Sequence, residues 1–159
     1  MEEIINSPEY QQLLPYLPYL LAAGVLRLII MVYLCMQGRK ALLQISKENR
    51  NLGPDQVWLL LVPFLNIYWN FVFVRRFTES LNNEFYDRKV AVEENPTQRN
   101  GYLFAGSFLV YNFPLPMFVG FVAFVISIVT LILYLAKVNE HKKLLEESNS
   151  DRNPFLDQD

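Results

Sequence analysis

The chain has 159 residues, of which 52% are hydrophobic and 19% are charged, with a formal net charge of −2. Ordinary soluble domains carry about 25% charged residues, so this composition argues against an ordinary soluble domain. The slightly acidic balance argues against nucleic acid as a partner. The single cysteine, Cys35, excludes an internal disulfide and a cysteine-based metal cluster, and the sequence predicts neither a metal site nor a cofactor.

Charge is almost absent from three stretches, residues 17–36, 57–74 and 102–136. A helix needs about 20 apolar residues to cross a hydrocarbon core of ~30 Å. The first stretch has this length, the second is slightly short, and the third is long enough to fold back on itself at Pro114 and Pro116. The sequence therefore predicts an all-α, polytopic transmembrane bundle with four spans, the third of them short, at about 17–36, 57–74, 102–113 and 117–136.

An amphipathic helix is predicted directly after the second span. Phe77, Leu81 and Phe85 recur every four residues among polar side chains, which places them on one helix face. We expect this face to lie at the membrane interface or to dock a partner. Residues 1–147 are predicted to form one transmembrane helical domain, and residues 148–159 an acidic, mobile tail.

Lys and Arg residues predict which side of the membrane each loop faces. They number zero before the first span, four in residues 39–50, five in 75–99 and four in the C-terminal segment. Four spans with both termini in the cytoplasm place nine basic residues inside and four outside, whereas three spans give eight against five. Four spans are narrowly favoured, although the basic segment 39–50 then lies outside.

Arg27 lies in the middle of the first span, where an unpaired guanidinium costs several kcal/mol. Asn66 lies at the centre of the second span, and Asn70 lies one turn further on the same face. Pro63 is expected to kink the second helix and to free the carbonyl of Leu59. We predict an intramembrane polar cluster of Arg27, Asn66 and Asn70, which either fixes helix packing, docks another subunit or a lipid headgroup, or lines a transport path.

Residues 63–69 read Pro-Phe-Leu-Asn-Ile-Tyr-Trp and follow a Gly-Pro turn at residues 53–54. This segment resembles a family of uncharacterised bacterial membrane proteins that share a Pro-Phe-x-Asn-x-Tyr-Trp core. Residues 135–139, at the end of the last apolar stretch, are similar to that family again. The resemblance implies four helices and a bacterial inner (cytoplasmic) membrane, and it implies no activity.

The sequence contains no catalytic constellation, so the predicted function is non-catalytic. We expect an accessory or assembly subunit of a larger bacterial inner-membrane protein complex, whose partners are the lipid bilayer and other membrane-protein subunits. The alternative is a small transporter or channel that uses the midplane polar cluster. A membrane enzyme acting on lipid ranks third, because its only candidate residues otherwise look like exposed helix positions: Glu79, Glu84, Asp87 and His141.

Overall fold

The structure, a computed structural model, describes residue 11 and residues 14–152. The described part is all-helical, which confirms the predicted fold class. A 3-10 turn, Leu14–Tyr16, precedes the first helix, and a longer 3-10 helix, Pro54–Leu61, follows it. The four α-helices are α1 (Leu17–Gln44), α2 (Leu65–Arg88), α3 (Gln98–Tyr111) and α4 (Met117–Arg152).

Two helices, α1 and α4, are long and apolar enough to cross a membrane. Only 17% of the apolar window of α1 and 22% of that of α4 are buried inside the protein. The core helix of a soluble protein would be mostly buried. The large exposed apolar surface of both helices therefore suits lipid rather than water.

The two long helices pack against each other in parallel. Arg27 of α1 lies beside Phe124 of α4, and further along Gln44 Nε2 donates a hydrogen bond to Glu146 Oε1 at 3.0 Å. Both helices begin apolar and finish polar. We call the end that holds residues 17–33, 104–111 and 117–133 the apolar end. The charged end holds residues 36–56, 73–102 and 134–152.

The predicted second span, residues 57–74, is not a continuous helix. Its first part is the 3-10 helix, the chain turns at residues 62–64, and α2 then runs back beside the first part. Trp69 Nε1 ties the two arms together by donating a hydrogen bond to the carbonyl of Gln56 at 3.1 Å. Pro63 supplies no N–H and holds Val62 in an extended conformation, and Phe64 has a φ of 63°, so the helix cannot continue through the turn.

This hairpin enters and leaves at the charged end. Its first arm starts beside α1, where Arg39 Nε lies 3.0 Å from Asp55 Oδ1. Its second arm finishes where Ser46 and Asn49 contact Glu84. The hairpin therefore adds two antiparallel arms without a crossing, and α2 runs in the same direction as α1.

Basic residues are concentrated at one end of the bundle as a consequence. Of the fourteen Lys and Arg residues, all but Arg27 follow residue 38 and lie at the charged end. Because α1 and α4 are parallel, residue 14 and residue 152 lie at opposite ends of the bundle. The prediction that both chain ends share one side does not fit this arrangement, because it counted residues 57–74 as a crossing.

Phe77, Leu81 and Phe85 are fully buried in the protein's own core. Phe77 stacks on Phe73 at a ring-centroid distance of 5.3 Å, and Phe85 lies edge-on to His141 at 6.0 Å. Their neighbours belong to the same chain. These three side chains are therefore not available to lipid or to a docking partner, and the structure does not support the interfacial or docking face predicted for them.

Candidate functional site in the apolar end

Arg27 of α1 is held among aromatic rings of α3 and α4. Its Cζ lies 4.6 Å from the ring centroid of Phe108, 4.7 Å from that of Tyr111 and 5.9 Å from that of Phe124. A guanidinium above an aromatic face gains about 2 kcal/mol when the contact is desolvated. These contacts join three helices around the one charged residue of the apolar end.

A cavity of about 270 Å³ opens beside the guanidinium. Asn66, in the first turn of α2, lines this cavity. The structure therefore brings Arg27 and Asn66 to one site, as predicted for two members of the cluster. Asn112 also lines it and was not expected from the sequence. The lining residues are Gly24, Arg27, Leu28, Met31, Leu60, Leu61, Asn66, Phe108, Tyr111, Asn112 and Phe124.

Asn70 does not belong to this cavity. It is fully buried, and neither of its amide atoms has a hydrogen-bond partner within the described part of the chain. The reason is helix direction. In the predicted antiparallel pair, Arg27 and Asn70 would lean toward each other, but α2 is parallel to α1, so Asn70 lies further toward the charged end while Arg27 leans toward the start of α1.

The carbonyl of Leu59 is also not available to Arg27. It accepts the backbone N–H of Val62 at 3.2 Å, directly before the proline. Arg27 Nη2 is buried and has no hydrogen-bond partner among residues 14–152. The aromatic rings thus surround the cation without supplying an acceptor for this nitrogen.

Among residues 14–152, no carboxylate falls in the apolar end. The chain has no Asp or Glu between residues 10 and 47, between 56 and 78, or between 95 and 139. Cation–π contacts lower the energy of a charge but leave it uncompensated. The described part of the apolar end therefore carries one net positive charge, that of Arg27.

The cavity is closed toward the charged end by packed side chains. Leu34, Phe73, Phe104 and Tyr134 are fully buried there, and the rings of Phe104 and Tyr134 stack at a centroid distance of 5.7 Å. A protein interior packed in this way contains few voids larger than a water molecule. The cavity is thus a pocket of the apolar end rather than part of a path through the bundle.

A second polar site lies in the charged end and was missed from the sequence. Glu84 and Arg88 of α2 form an ion pair of 2.7 Å, with only 4% and 3% of their side chains exposed. Glu84 also accepts hydrogen bonds from the backbone and hydroxyl of Ser46 and from the amide of Asn49, at 2.8–2.9 Å. Burial alone would raise the pKa of Glu84, but the hydrogen bonds from Asn49, Ser46 and Arg88 outweigh it and lower the pKa to about 2.

Arg88 extends this network to the ends of the two long helices. Its guanidinium donates to the carbonyl of Gln44 at 2.7 Å, to the carbonyl of Leu145 at 3.1 Å and to the hydroxyl of Ser148 at 3.3 Å. The Glu84–Arg88 network therefore joins the end of α1, α2 and the last turns of α4 into one unit.

The residues considered for lipid chemistry are not assembled into a site. His141 is buried, with Nδ1 2.8 Å from the carbonyl of Lys137, and was wrongly expected to be exposed. Glu79 pairs with Arg75, and Asp87 accepts a hydrogen bond from Asn49. No group of three or more His, Cys, Asp or Glu side chains that could hold a metal ion occurs among the described residues.

Comparison with family models, with curated proteins and with solved structures finds no match for this chain. The class of this protein is therefore described from the features of its fold. It is an all-helical protein with two parallel helices apolar enough to cross a membrane, a cationic pocket at one end and a buried ion-pair network at the other.

Proposed function

We propose that this chain is a non-catalytic accessory or assembly subunit of a larger protein complex in the bacterial cytoplasmic membrane. In this proposal, α1, α3 and α4 cross the bilayer, and the hairpin of the 3-10 helix and α2 enters it partway from the cytoplasmic side. The charged end, which holds all basic residues except Arg27, faces the cytoplasm, in agreement with the positive-inside rule. Other membrane-protein subunits are its partners.

The observation that carries the proposal is Tyr86. It lies on α2 in the charged end, and 84% of its surface is exposed. The same helix is held in place by the Glu84–Arg88 network, so Tyr86 is an exposed aromatic side chain on a rigid support. Tyrosine is enriched among the anchor residues of protein interfaces, because it presents a large apolar area at little entropic cost.

A transporter or channel is less well supported. The core between the Arg27 pocket and the charged end is filled by aromatic and aliphatic side chains. A substrate path would have to open through this core. We therefore keep the assembly role as the proposed function.

Orientation is testable by cysteine labelling. The native thiol, Cys35, is buried, so a membrane-impermeant maleimide reports on an introduced cysteine. We expect Ile5→Cys, in the segment before the described residues, and Lys143→Cys, at an exposed position of the charged end, to be labelled from opposite sides. Labelling of both from the same side would restore the model of four spans with both termini in the cytoplasm.

Partner binding is testable by purification from native membranes in a mild detergent, followed by mass spectrometry. We expect one partner to copurify at constant stoichiometry with the natural chain. Tyr86→Ala should weaken its recovery, because truncation of an aromatic anchor costs about 2 kcal/mol of binding free energy, or roughly 30-fold in affinity.

Tyr68→Ala is the matched control. Tyr68 has the same side chain, lies on the same helix and is 67% exposed, but it belongs to the membrane-level part of α2. It should leave recovery of the partner unchanged. A natural chain that always elutes as a lone monomer or homo-oligomer would refute the assembly role.

A further inference from the structure

We propose that the pocket around Arg27 binds the anionic headgroup of an amphiphile, that is, a phosphate or carboxylate carried on an acyl chain. This binding site lies in the apolar end and is independent of the partner surface at Tyr86. The proposal rests on three features of the pocket: its charge, its hydrogen-bond donors and its opening toward the lipid-facing surface.

The charge comes first. Arg27 is the one charged residue in the described part of the apolar end, where no Asp or Glu accompanies it. A guanidinium in an apolar medium is costly until an anion or a set of acceptors meets it. The aromatic rings of Phe108 and Tyr111 lie against the cation, but they provide no negative charge.

The donors select the kind of anion. Arg27 Nη2 is buried at the pocket without a hydrogen-bond partner in the described part of the chain. The planar fork of a guanidinium matches two oxygens of a phosphate or carboxylate. Asn66 lines the same pocket and carries an amide that can donate as well.

The opening selects an amphiphile rather than a soluble anion. Gly24 and Leu28 line the pocket and are both exposed on the lipid-facing side of α1. A Cβ atom placed on Gly24 would meet nothing within 4 Å, so the pocket mouth is open there. Leu20 and Leu21, also exposed on α1, offer an apolar wall for an acyl chain beyond the mouth. A volume of about 270 Å³ suits a headgroup, whereas a helix of a second protein would need a long groove.

The experiment is native mass spectrometry of the purified chain in detergent. Dioleoyl phosphatidylglycerol, oleate and dioleoyl phosphatidylcholine are added separately at equal concentration, and bound lipid per chain is counted. We expect one phosphatidylglycerol or one oleate to be retained in preference to the zwitterionic lipid. Retention of phosphatidylglycerol identifies a phospholipid phosphate as the ligand, and retention of oleate alone identifies an acyl carboxylate.

Two variants test the site by different means. Arg27→Leu removes the charge, and Gly24→Leu fills the mouth without changing any charge. Arg27→Leu should reduce retention of the anionic amphiphile by about tenfold or more, as expected for the loss of a hydrogen bond to a charged group. Gly24→Leu should reduce it as well, because the leucine side chain blocks entry to the pocket. Gly106→Leu is the matched control, because Gly106 of α3 is also open within 4 Å but does not line the pocket.

Circular dichroism and elution volume establish that each variant is folded. The proposal is overturned if folded Arg27→Leu and Gly24→Leu retain as much anionic amphiphile as the natural chain. Equal retention of phosphatidylcholine by the natural chain would overturn it as well, since the pocket would then not select for charge.

Discussion

Replacing Arg88 by methionine is expected to destabilise the protein by about 3–5 kcal/mol, the usual cost of removing one partner of a buried ion pair. The carboxylate of Glu84 would stay buried without its cation. The carbonyls of Gln44 and Leu145 would lose their donor at the same time. Denaturant or thermal unfolding in detergent, followed by circular dichroism, measures the loss.

Arg75→Met is the matched control on the same helix. Arg75 also pairs with a glutamate four residues later, Glu79, at 2.9 Å, but 71% of its side chain is exposed. Exposed pairs of this kind contribute less than about 1 kcal/mol. Equal losses from Arg88→Met and Arg75→Met would mean that the Glu84–Arg88 network does not hold the charged end together.

The same network makes the stability depend on pH. The pKa of Glu84 is lowered to about 2 in the folded protein, against an ordinary value of 4.5. A lowered pKa means that the folded state binds the proton less tightly than the unfolded state. The stabilisation is therefore complete above pH 4.5 and is lost as the pH falls toward 2. Glu84→Gln should remove this part of the acid sensitivity, and an unchanged pH profile would contradict the assignment.

Gly101→Ala is expected to destabilise the protein by about 1–3 kcal/mol, the range for overpacking a tight core. A Cβ atom on Gly101 would lie 2.5 Å from Val74 Cγ1 and 2.9 Å from Tyr134 Cε2. These atoms belong to α2 and α4, so one methyl group would push α3 away from both helices. Thermal unfolding measures the effect.

Gly106→Ala makes the same substitution on the same helix, at a position with open space around it. A Cβ atom there meets nothing within 4 Å. Because alanine favours helix over glycine by about 1 kcal/mol, this variant should be neutral or slightly more stable. A comparable loss at both positions would indicate that the close approach at Gly101 does not control the stability.

The helices themselves were largely predictable from local pattern. Apolar runs of sufficient length predicted α1 and α4, and the prolines at residues 114 and 116 predicted the start of α4 at Met117. The hairpin was not predictable in this way. The apolar stretch of residues 57–74 is compatible with one membrane span or with the two arms of a hairpin. The hydrogen bond from Trp69 to Gln56 distinguishes the hairpin, and it depends on tertiary packing.

The candidate site was only partly predictable, because its membership also depends on tertiary packing. Arg27 is conspicuous because a charge in an apolar run needs an explanation. Its neighbours depend on whether α2 is parallel or antiparallel to α1, and no local sequence pattern predicts this direction. In the sequence, Glu84 and Arg88 resemble an exposed helix pair. In the fold, they are covered by residues that are distant in the chain: Ser46 lies 38 positions from Glu84, and Leu145 lies 57 positions from Arg88.

The long-range hydrogen bonds of Arg88 affect the order of folding during synthesis. Its partners at Leu145 and Ser148 are translated about 60 residues after it, when α1 and the hairpin have already been made. Until α4 arrives, the network can form only its contacts with Gln44, Ser46 and Asn49. The charged end is therefore completed only when α4 packs against it. A nascent chain stalled before Leu145 should leave the charged end more open to proteases than it is in the full chain.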